Sequence, residues 1–252
     1  MNRPDDEVPL GRAALLISAA ANPDLDVTAE LSRLDRIAGQ VGRSDVGRVC
    51  EVLFGDLGLR GDRSTYEHPD NSYLDRVIDR RRGIPISLSV LLIEVAARCG
   101  VRLEGVGMPG HFLVRDPHDP DRLIDAFDGG RRLSRPECER LMRSTTGSPG
   151  ALTDGMLDRV GNRLILSRML ANLDRTFEQR AERSSLVQVS ELRRRLPGAP
   201  VGDRMQLASR LSDLGRFGAA ADVLDDTARR VAPGAARDRI AARATGLRAR
   251  LN

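Results

Sequence analysis

The sequence predicts an α+β domain followed by an all-helical segment, and three observations predict this order. Apolar residues recur at helical spacing up to residue 99, three short extended segments lie between residues 101 and 126, and the pattern beyond residue 150 is helical again. Helices beside short sequential strands favour a helix packed on a small antiparallel sheet. At 252 residues the chain has room for two domains, which we place at residues 1–150 and 151–252.

The helical periodicity before the sheet predicts five helices, which cover residues 13–21, 31–41, 46–57, 72–82 and 85–99. Ser72 and Asp75 have the spacing of a capping box at the start of the fourth helix, and Gly83 is expected to end it. Pro85 stands at the first-turn position that proline favours, so we expect the fifth helix to begin there.

The extended segments are Val101–Val106, His111–Arg115 and Arg122–Ala126. Gly105, Gly107 and Gly110 match the spacing of a dinucleotide-binding fingerprint, but a strand follows them where that fingerprint needs a helix. We therefore interpret them as a turn between strands and predict no cofactor. The segment His118–Asp121 is interpreted as a hairpin turn and not as a metal site, because Asp and Pro favour turns without any ligand.

The composition excludes several chemistries. All 40 basic residues are arginine, which excludes Schiff-base lysine catalysis and a P-loop lysine. Cys50, Cys99 and Cys138 are too far apart for a zinc cage or a disulfide framework, and free thiols fit a reducing cytoplasm. Only 3% of the residues are aromatic, which disfavours a stacking platform for single-stranded nucleic acid. No stretch approaches the ~20 apolar residues of a membrane span, so we predict a cytoplasmic protein without a membrane contact.

The C-terminal part suggests a partner. Leu170-Ala171 recurs as Leu207-Ala208 after 37 residues, near the ~34-residue period of tetratricopeptide repeats. Stacked helix pairs usually hold a protein or peptide in a groove, and this is the partner we predict.

Residues 229–252 carry seven arginines and one acid, Asp238. We interpret this tail as a solvated helix face and not as a nucleic-acid contact, because no nucleic-acid-binding motif accompanies it.

One arrangement of residues predicts chemistry: the N-terminus of helix 85–99, His111 at the start of a strand, and Asp125 in the next strand. Acyl transfer of the cysteine type needs a nucleophile at a helix N-terminus, a histidine that accepts its proton, and an acid that orients the histidine. Adjacent antiparallel strands can place His111 and Asp125 side by side.

Four motifs surround these residues: Asp70-Asn-Ser-Tyr-Leu74, Arg82-Gly-Ile-Pro-Ile-Ser-Leu-Ser89, Pro109-Gly-His-Phe-Leu-Val-Arg115 and Leu123-Ile-Asp-Ala-Phe-Asp-Gly-Gly130. Together they resemble the SirB-type transglutaminase-like family. The resemblance spans most of the chain and is most specific between residues 71 and 130. It implies a papain-like α+β core, with tetratricopeptide-like helices after it.

The resemblance implies roles for single residues. His111 corresponds to the catalytic histidine of active transglutaminase-like domains, and Asp125 corresponds to their aspartate. The nucleophile position holds no cysteine: counting back from Gly100 without gaps places Pro85 there, and a small shift places Ser87 there. A helix dipole and an imidazolium readily make a thiolate, whereas a serine hydroxyl depends on a well-placed general base.

The sequence therefore favours a catalytically degenerate transglutaminase-like protein that acts as a protein-binding or regulatory module. In that case Ser87 caps its helix, and His111 and Asp125 form a structural pair. The alternative is a hydrolase or acyltransferase on amide or ester bonds, with Ser87 as nucleophile, His111 as general base and Asp125 as the orienting acid. A third interpretation is a nucleic-acid contact of the arginine-rich tail, which would depend steeply on salt.

Overall fold

The structure, a computed structural model, describes residues 8–42 and 45–251. Residues 1–7, 43, 44 and 252, which belong to the predicted domain ranges, lie outside the described residues. The chain divides into two compact units between Met169 and Leu170. The strand Arg159–Val160 belongs to the first unit and completes its sheet, and the domain ranges 1–150 and 151–252 stay a prediction.

The described residues form eleven α-helices and seven strands. The helices are α1 (Leu10–Ala21), α2 (Val27–Val41), α3 (Val46–Cys50), α4 (Leu74–Arg80), α5 (Pro85–Arg98), α6 (Arg135–Thr146), α7 (Asn162–Gln179), α8 (Arg183–Arg195), α9 (Val201–Asp213), α10 (Phe217–Arg230) and α11 (Ala235–Arg248). The strands are β1 (Arg60–Gly61), β2 (Arg82–Gly83), β3 (Glu104–Val106), β4 (Leu113–Asp116), β5 (Asp119–Asp125), β6 (Arg131–Leu133) and β7 (Arg159–Val160). In the part of the chain that these elements cover, none of the helices combines the length and the apolar character needed to cross a lipid bilayer.

Helix α5 is the centre of the first unit. It begins at Pro85, as predicted, and Leu88, Leu91, Leu92 and Val95 are at most 1% exposed. Helices α1 to α4 all pack against it, and strands β3 and β4 contact it. Such an all-round apolar helix is stable only when it is enclosed, and each buried leucine side chain contributes roughly 2 kcal/mol to that stability.

The α+β class is confirmed by a five-stranded sheet in which every neighbouring pair is antiparallel, in the order β6-β5-β4-β3-β7. The three predicted extended segments correspond to β3, β4 and β5, whereas β6 and β7 are not predicted. The turn between β4 and β5 confirms the hairpin expected around His118. Helix α6 covers the sheet through the buried side chains of Cys138 and Met142, which pack on Val106 and Leu113.

The start of α4 differs from the prediction. The helix begins at Leu74, and its N-cap is Tyr73, whose side chain makes no capping hydrogen bond. The capping box expected from Ser72 and Asp75 is therefore wrong. The reason is that a 3₁₀ turn, Pro69–Asn71, comes first and moves the helix start along the chain.

The end of α4 also differs from the prediction. Arg81, not Gly83, stops the helix by adopting the left-handed conformation, with φ of 56° and ψ of 30°. Gly83 instead belongs to β2, which pairs in parallel with β1. In this pair Arg82 is the register partner of Arg60, and Gly83 is the partner of Gly61.

The second unit consists of helices only. Helix α8 packs on α9, α9 on α10, and α10 on α11. Buried aliphatic side chains hold these helices together, among them Leu207, Leu211, Leu224 and Ile240. Each helix thus contacts the next one along the chain, which is compatible with repeats. The tetratricopeptide-like character of this unit stays a prediction.

Several arginines of the C-terminal tail have counter-ions within the second unit. Arg230 contacts Asp226 at 3.0 Å, and Arg248 contacts Asp222 at 2.9 Å and Asp225 at 2.6 Å. Carboxylates of α10 pair with these guanidinium groups. The carboxylates therefore compete with any phosphate group that approaches the tail. The pairing supports the interpretation of a solvated helix face.

Gly61 approaches Phe127 closely, and this gives a test of the packing. A Cβ atom at position 61 would lie 2.6 Å from ring carbons of Phe127 and 2.6 Å from its carbonyl oxygen. We expect Gly61→Ala to lower the free energy of unfolding by about 1–3 kcal/mol. The control is Gly39→Ala in α2, where a Cβ atom meets nothing within 4 Å. This control should raise the free energy of unfolding by roughly 0.5–1 kcal/mol, because alanine is the better helix former. Urea denaturation measures both, and equal effects would contradict the close approach.

Candidate functional site

The structure brings His111 and Asp125 together. His111 Nε2 donates a hydrogen bond to Asp125 Oδ1 at 2.9 Å, and both side chains are 5% exposed. Because a carboxylate only accepts, Nε2 of His111 carries the proton of this hydrogen bond. Asp125 is the last residue of β5, as expected for a residue in that strand. His111 lies just before β4, which begins at Leu113, and so not at the strand start itself.

Asp125 also organises the chain that follows it. Its Oδ1 accepts the backbone N–H groups of Phe127 at 3.0 Å and Asp128 at 3.4 Å, and so caps the 3₁₀ helix Ala126–Asp128. The Phe127 ring stands edge-on to the His111 ring, with centroids 5.9 Å apart. The carboxylate is thereby fixed from two sides, and it fixes the orientation of the imidazole in turn.

The backbone at His111 is held by Arg168 of α7. The guanidinium donates to the carbonyl of Gly107 at 2.8 Å and to the carbonyl of His111 at 3.1 Å, and it lies 5.4 Å from the centroid of the Phe112 ring. Burial lowers the pKa of Arg168. The sequence does not predict this contact, because Arg168 lies 57 residues from His111 and no local pattern connects them.

The structure does not join Ser87 to this pair. Ser87 is the third residue of α5 and is fully buried. Its Oγ accepts the N–H of Ile84 at 3.1 Å and donates to the carbonyl of Asn71 at 2.6 Å. The described residues contain no hydrogen bond between Ser87 and His111. Pro85, the other residue aligned with the nucleophile position, is the first residue of α5 and carries no nucleophilic group.

Asn71 belongs to a buried polar network that the sequence does not predict either. Its side-chain amide donates to Asp62 Oδ2 at 3.2 Å, and its Oδ1 accepts from Arg80 at 3.0 Å. Burial alone raises the pKa of Asp62, but hydrogen bonds from Thr65, Asn71 and Ser64 outweigh it and hold this pKa well below its usual range. Asp62, Ser64 and Thr65 form a turn in which the aspartate carboxylate accepts hydrogen bonds from the backbone N–H groups that follow it. Their spacing is the one sequence pattern that indicates this turn, because aspartate often accepts from the backbone N–H two residues later.

The three cysteine side chains are disfavoured as thiolates. Burial raises the pKa of Cys50 and that of Cys138 to about 11, and it also raises the pKa of Cys99. Cys99 lies at the far end of α5, with its Sγ 3.6 Å from the carbonyl oxygen of Ala38. At neutral pH these groups are thiols, not thiolates. Within residues 8–42 and 45–251, no three His, Cys, Asp or Glu side chains are grouped so that they could hold a metal ion.

Comparison with known proteins agrees with this geometry. Residues 25–171 match the model of the transglutaminase-like superfamily, a range that includes α5, His111 and Asp125. The chain belongs to the transglutaminase-like superfamily. The match extends from the N-terminal helices into α7, so it covers most of the first unit of this transglutaminase-like protein.

Relatives occur in bacteria and in animals. A UPF0162 protein of Xylella fastidiosa (strain 9a5c) is 39% identical over 188 residues, which are 69% of this chain and 66% of the relative. A UPF0162 protein of Pseudomonas aeruginosa is 31% identical over 201 residues, 77% of this chain and 73% of the relative. F-box only protein 21 of Mus musculus is 36% identical over 131 residues, 48% of this chain but 20% of the relative. The transglutaminase-like chain thus spans 66% of the length of its Xylella relative. No solved structure matches it at a significant level.

Two serines of α5 test the capping role of Ser87. Ser87 and Ser89 are both fully buried, but the Oγ of Ser89 has no hydrogen-bond partner among the described residues. Ser87→Ala removes bonds to Ile84 and Asn71, so we expect it to lower the free energy of unfolding by about 1–3 kcal/mol. Ser89→Ala is the matched control, and it should change this free energy by less than about 1 kcal/mol or raise it. Urea denaturation of both variants is the measurement, and a larger loss from Ser89→Ala would refute the assignment.

Proposed function

We propose that this chain is a SirB-type transglutaminase-like protein that has lost its nucleophile and acts in the cytoplasm as a protein-binding or regulatory module. One observation carries the proposal: the hydroxyl of Ser87 is buried and bonded to two backbone groups at the start of α5. The first residue of that helix is a proline, and the cysteine thiols have raised pKa values.

The His111–Asp125 pair by itself does not supply catalysis. A general base contributes only when the group that it deprotonates lies within hydrogen-bonding distance, directly or through one water molecule. To act as a nucleophile, Ser87 would have to give up its bonds to Asn71 and Ile84 and leave a closed environment. Loss of buried hydrogen bonds is unfavourable because both former partners stay unsatisfied. In the proposed function, His111 and Asp125 fix the segments before β4 and after β5.

The experiment looks for covalent chemistry. Wild-type protein, Ser87→Ala and His111→Ala are incubated with p-nitrophenyl acetate and with a fluorophosphonate probe, and intact mass is measured. We expect equal ester hydrolysis in all three and no adduct on any of them, while a serine hydrolase serves as positive control. An adduct on the wild type that Ser87→Ala abolishes would establish the hydrolase instead.

Thiol chemistry is tested by the pH dependence of iodoacetamide alkylation. Only the thiolate reacts, so Cys50 and Cys138, whose pKa values are raised to about 11, should react slowly at pH 7.5 and faster as the pH rises toward 11. Peptide mapping after alkylation reports each cysteine separately. Rapid modification of one cysteine at pH 7.5 would reveal a reactive thiolate and overturn the proposal.

A pocket in the second unit supports the binding role. It has a volume of about 390 Å³ and lies between α8 and α9, where it is lined by Arg183, Leu186, Arg210 and Asp213. Arg183 is exposed and forms no ion pair with any described carboxylate. An exposed cation beside an apolar side chain fits a peptide that places an acidic group next to an apolar one.

One wall of this pocket is rigid. The Arg210 side chain is 10% exposed, and its guanidinium donates to Asp174, to Ser190 Oγ at 2.6 Å and to Glu178 at 2.8 Å. Acceptors on two helices, α7 and α8, thereby fix the position of this α9 side chain. A pocket that is already ordered binds a peptide without the entropic cost of arranging its own side chains.

Charge reversal tests the pocket. Peptides are selected from a phage-displayed dodecapeptide library on the wild-type chain, and their Kd values are measured by fluorescence anisotropy. We expect Arg183→Glu to weaken the selected peptides by about tenfold or more, because it places a like charge at the acidic group. Arg175→Glu is the control, since Arg175 is also an exposed arginine without a described ion pair but does not line the pocket. Equal losses in both variants would exclude the pocket as the site.

A further inference from the structure

Three arginines meet where β1 pairs with β2. Arg60 and Arg82 are register partners in this parallel pair, and the N–H of Arg60 donates to the carbonyl of Arg81 at 3.1 Å. Arg60 and Arg81 are exposed, and Arg82 is half-buried. No carboxylate of the described residues forms an ion pair with any of the three. The preceding Arg80 differs from them, because its guanidinium turns inward to the buried Asn71 network.

Two features of this cluster lower the stability of the folded chain when no ligand is bound. Arg60 and Arg82 place like charges on adjacent strands at the same register position, which is a repulsive arrangement. Arg81 occupies the left-handed conformation, which glycine adopts with less strain than any residue with a Cβ atom. Strain that persists at a charged, exposed residue points to a role for its side chain. A bound anion would relieve the repulsion.

We propose that Arg60, Arg81 and Arg82 form a binding surface for carboxylates of an acidic protein segment. Guanidinium groups bind carboxylates through paired, charge-assisted hydrogen bonds. The cluster consists of one pair of register partners, Arg60 and Arg82, and of Arg81 at the end of α4. A cluster of this size can bind one or two carboxylates. Nucleic acid would favour a longer basic track with aromatic side chains for base stacking, and β1 and β2 contain only arginine and glycine.

The surface adjoins the degenerate site. Gly61 of β1 lies against Phe127, whose ring stands edge-on to His111. Gly83 of β2 comes two residues before Pro85, where α5 begins. An acidic segment bound here therefore lies close to the start of α5 and to the ring of Phe127. The inference concerns the first unit only, so it does not depend on the pocket lined by Arg183.

The first test uses the full chain and a fluorescein-labelled peptide with six consecutive glutamates. In anisotropy titrations at low salt, the double variant Arg60→Gln/Arg82→Gln should bind about tenfold more weakly than the wild type. The matched control is Arg237→Gln/Arg239→Gln, which removes two exposed arginines of α11 that have no described ion pair. The control should change the affinity less than about twofold. Equal losses in the two double variants would show non-specific attraction and overturn the proposal.

The same titrations are run with a single-stranded RNA hexamer and with vesicles that contain anionic lipid. We expect both to bind more weakly than the glutamate peptide and without dependence on Arg60 and Arg82. If either bound more tightly, with a loss in the double variant, the ligand class would be wrong.

Arg81→Gly separates binding from folding. Glycine relieves the left-handed backbone, so the melting temperature should rise by a few degrees, while affinity for the glutamate peptide should fall about threefold or more. Ala181→Gly is the control, because Ala181 has a similar φ of 54° but lies in the second unit. It should raise the melting temperature and leave peptide affinity unchanged. If Arg81→Gly bound the glutamate peptide as tightly as the wild type, the proposal that Arg81 belongs to the binding surface would be wrong.

Discussion

The hydrogen bond from the Ser87 hydroxyl to the carbonyl of Asn71, 2.6 Å long and fully buried, fixes the point at which α5 begins. Asn71 is itself held by Asp62 and Arg80, so the start of α5 is tied to the loop that precedes α4. The consequences extend through the first unit, because α5 contacts the four helices before it and two strands of the sheet. In this fold the same helix start would carry a nucleophile in an active enzyme. Here the hydroxyl of Ser87 is engaged in hydrogen bonds to Asn71 and Ile84 that hold the chain together.

His111 and Asp125 also have a structural role. Asp125 Oδ1 accepts from His111 and from two backbone N–H groups, so its removal would leave several buried donors unsatisfied. Arg168 holds the carbonyl of His111 as well. The pair therefore has a structural reason to exist without any reaction. Its presence alone does not distinguish an enzyme from a binding protein.

The sequence predicts those elements of this fold whose apolar residues recur at a regular spacing. The apolar stripe of α5 and the extended segments of β3, β4 and β5 are visible because their periods are 3.6 and 2 residues. Strands β6 and β7 have three and two residues, too few for a pattern. The end of α4 is missed because Arg81 adopts a conformation that a residue with a Cβ atom rarely takes. In the site, Ser87 is recognised by its place in a motif, but its partner Asn71 lies 16 residues away, and only the folded chain shows that the hydroxyl is engaged.

The two proposed binding surfaces differ in how their charge is balanced, and this difference bears on how each would respond to salt. Arg210 in the second unit is surrounded by Asp174 and Glu178, so most of its field is already cancelled before a peptide arrives. The β1–β2 arginines have no such counter-ions among the described residues, and solvent ions must screen them. Binding at β1–β2 should therefore weaken steeply as the salt concentration rises, because dissolved ions screen the attraction between solvent-exposed charges. Binding at the pocket should weaken less steeply with salt, since the Arg210 guanidinium is already paired within the protein and, among the described residues that line the pocket, Arg183 alone supplies an unpaired positive charge, beside the apolar side chain of Leu186. An acidic segment and a mixed acidic and apolar peptide are thus different ligands, which the number of unpaired arginines and the apolar contact with Leu186 distinguish.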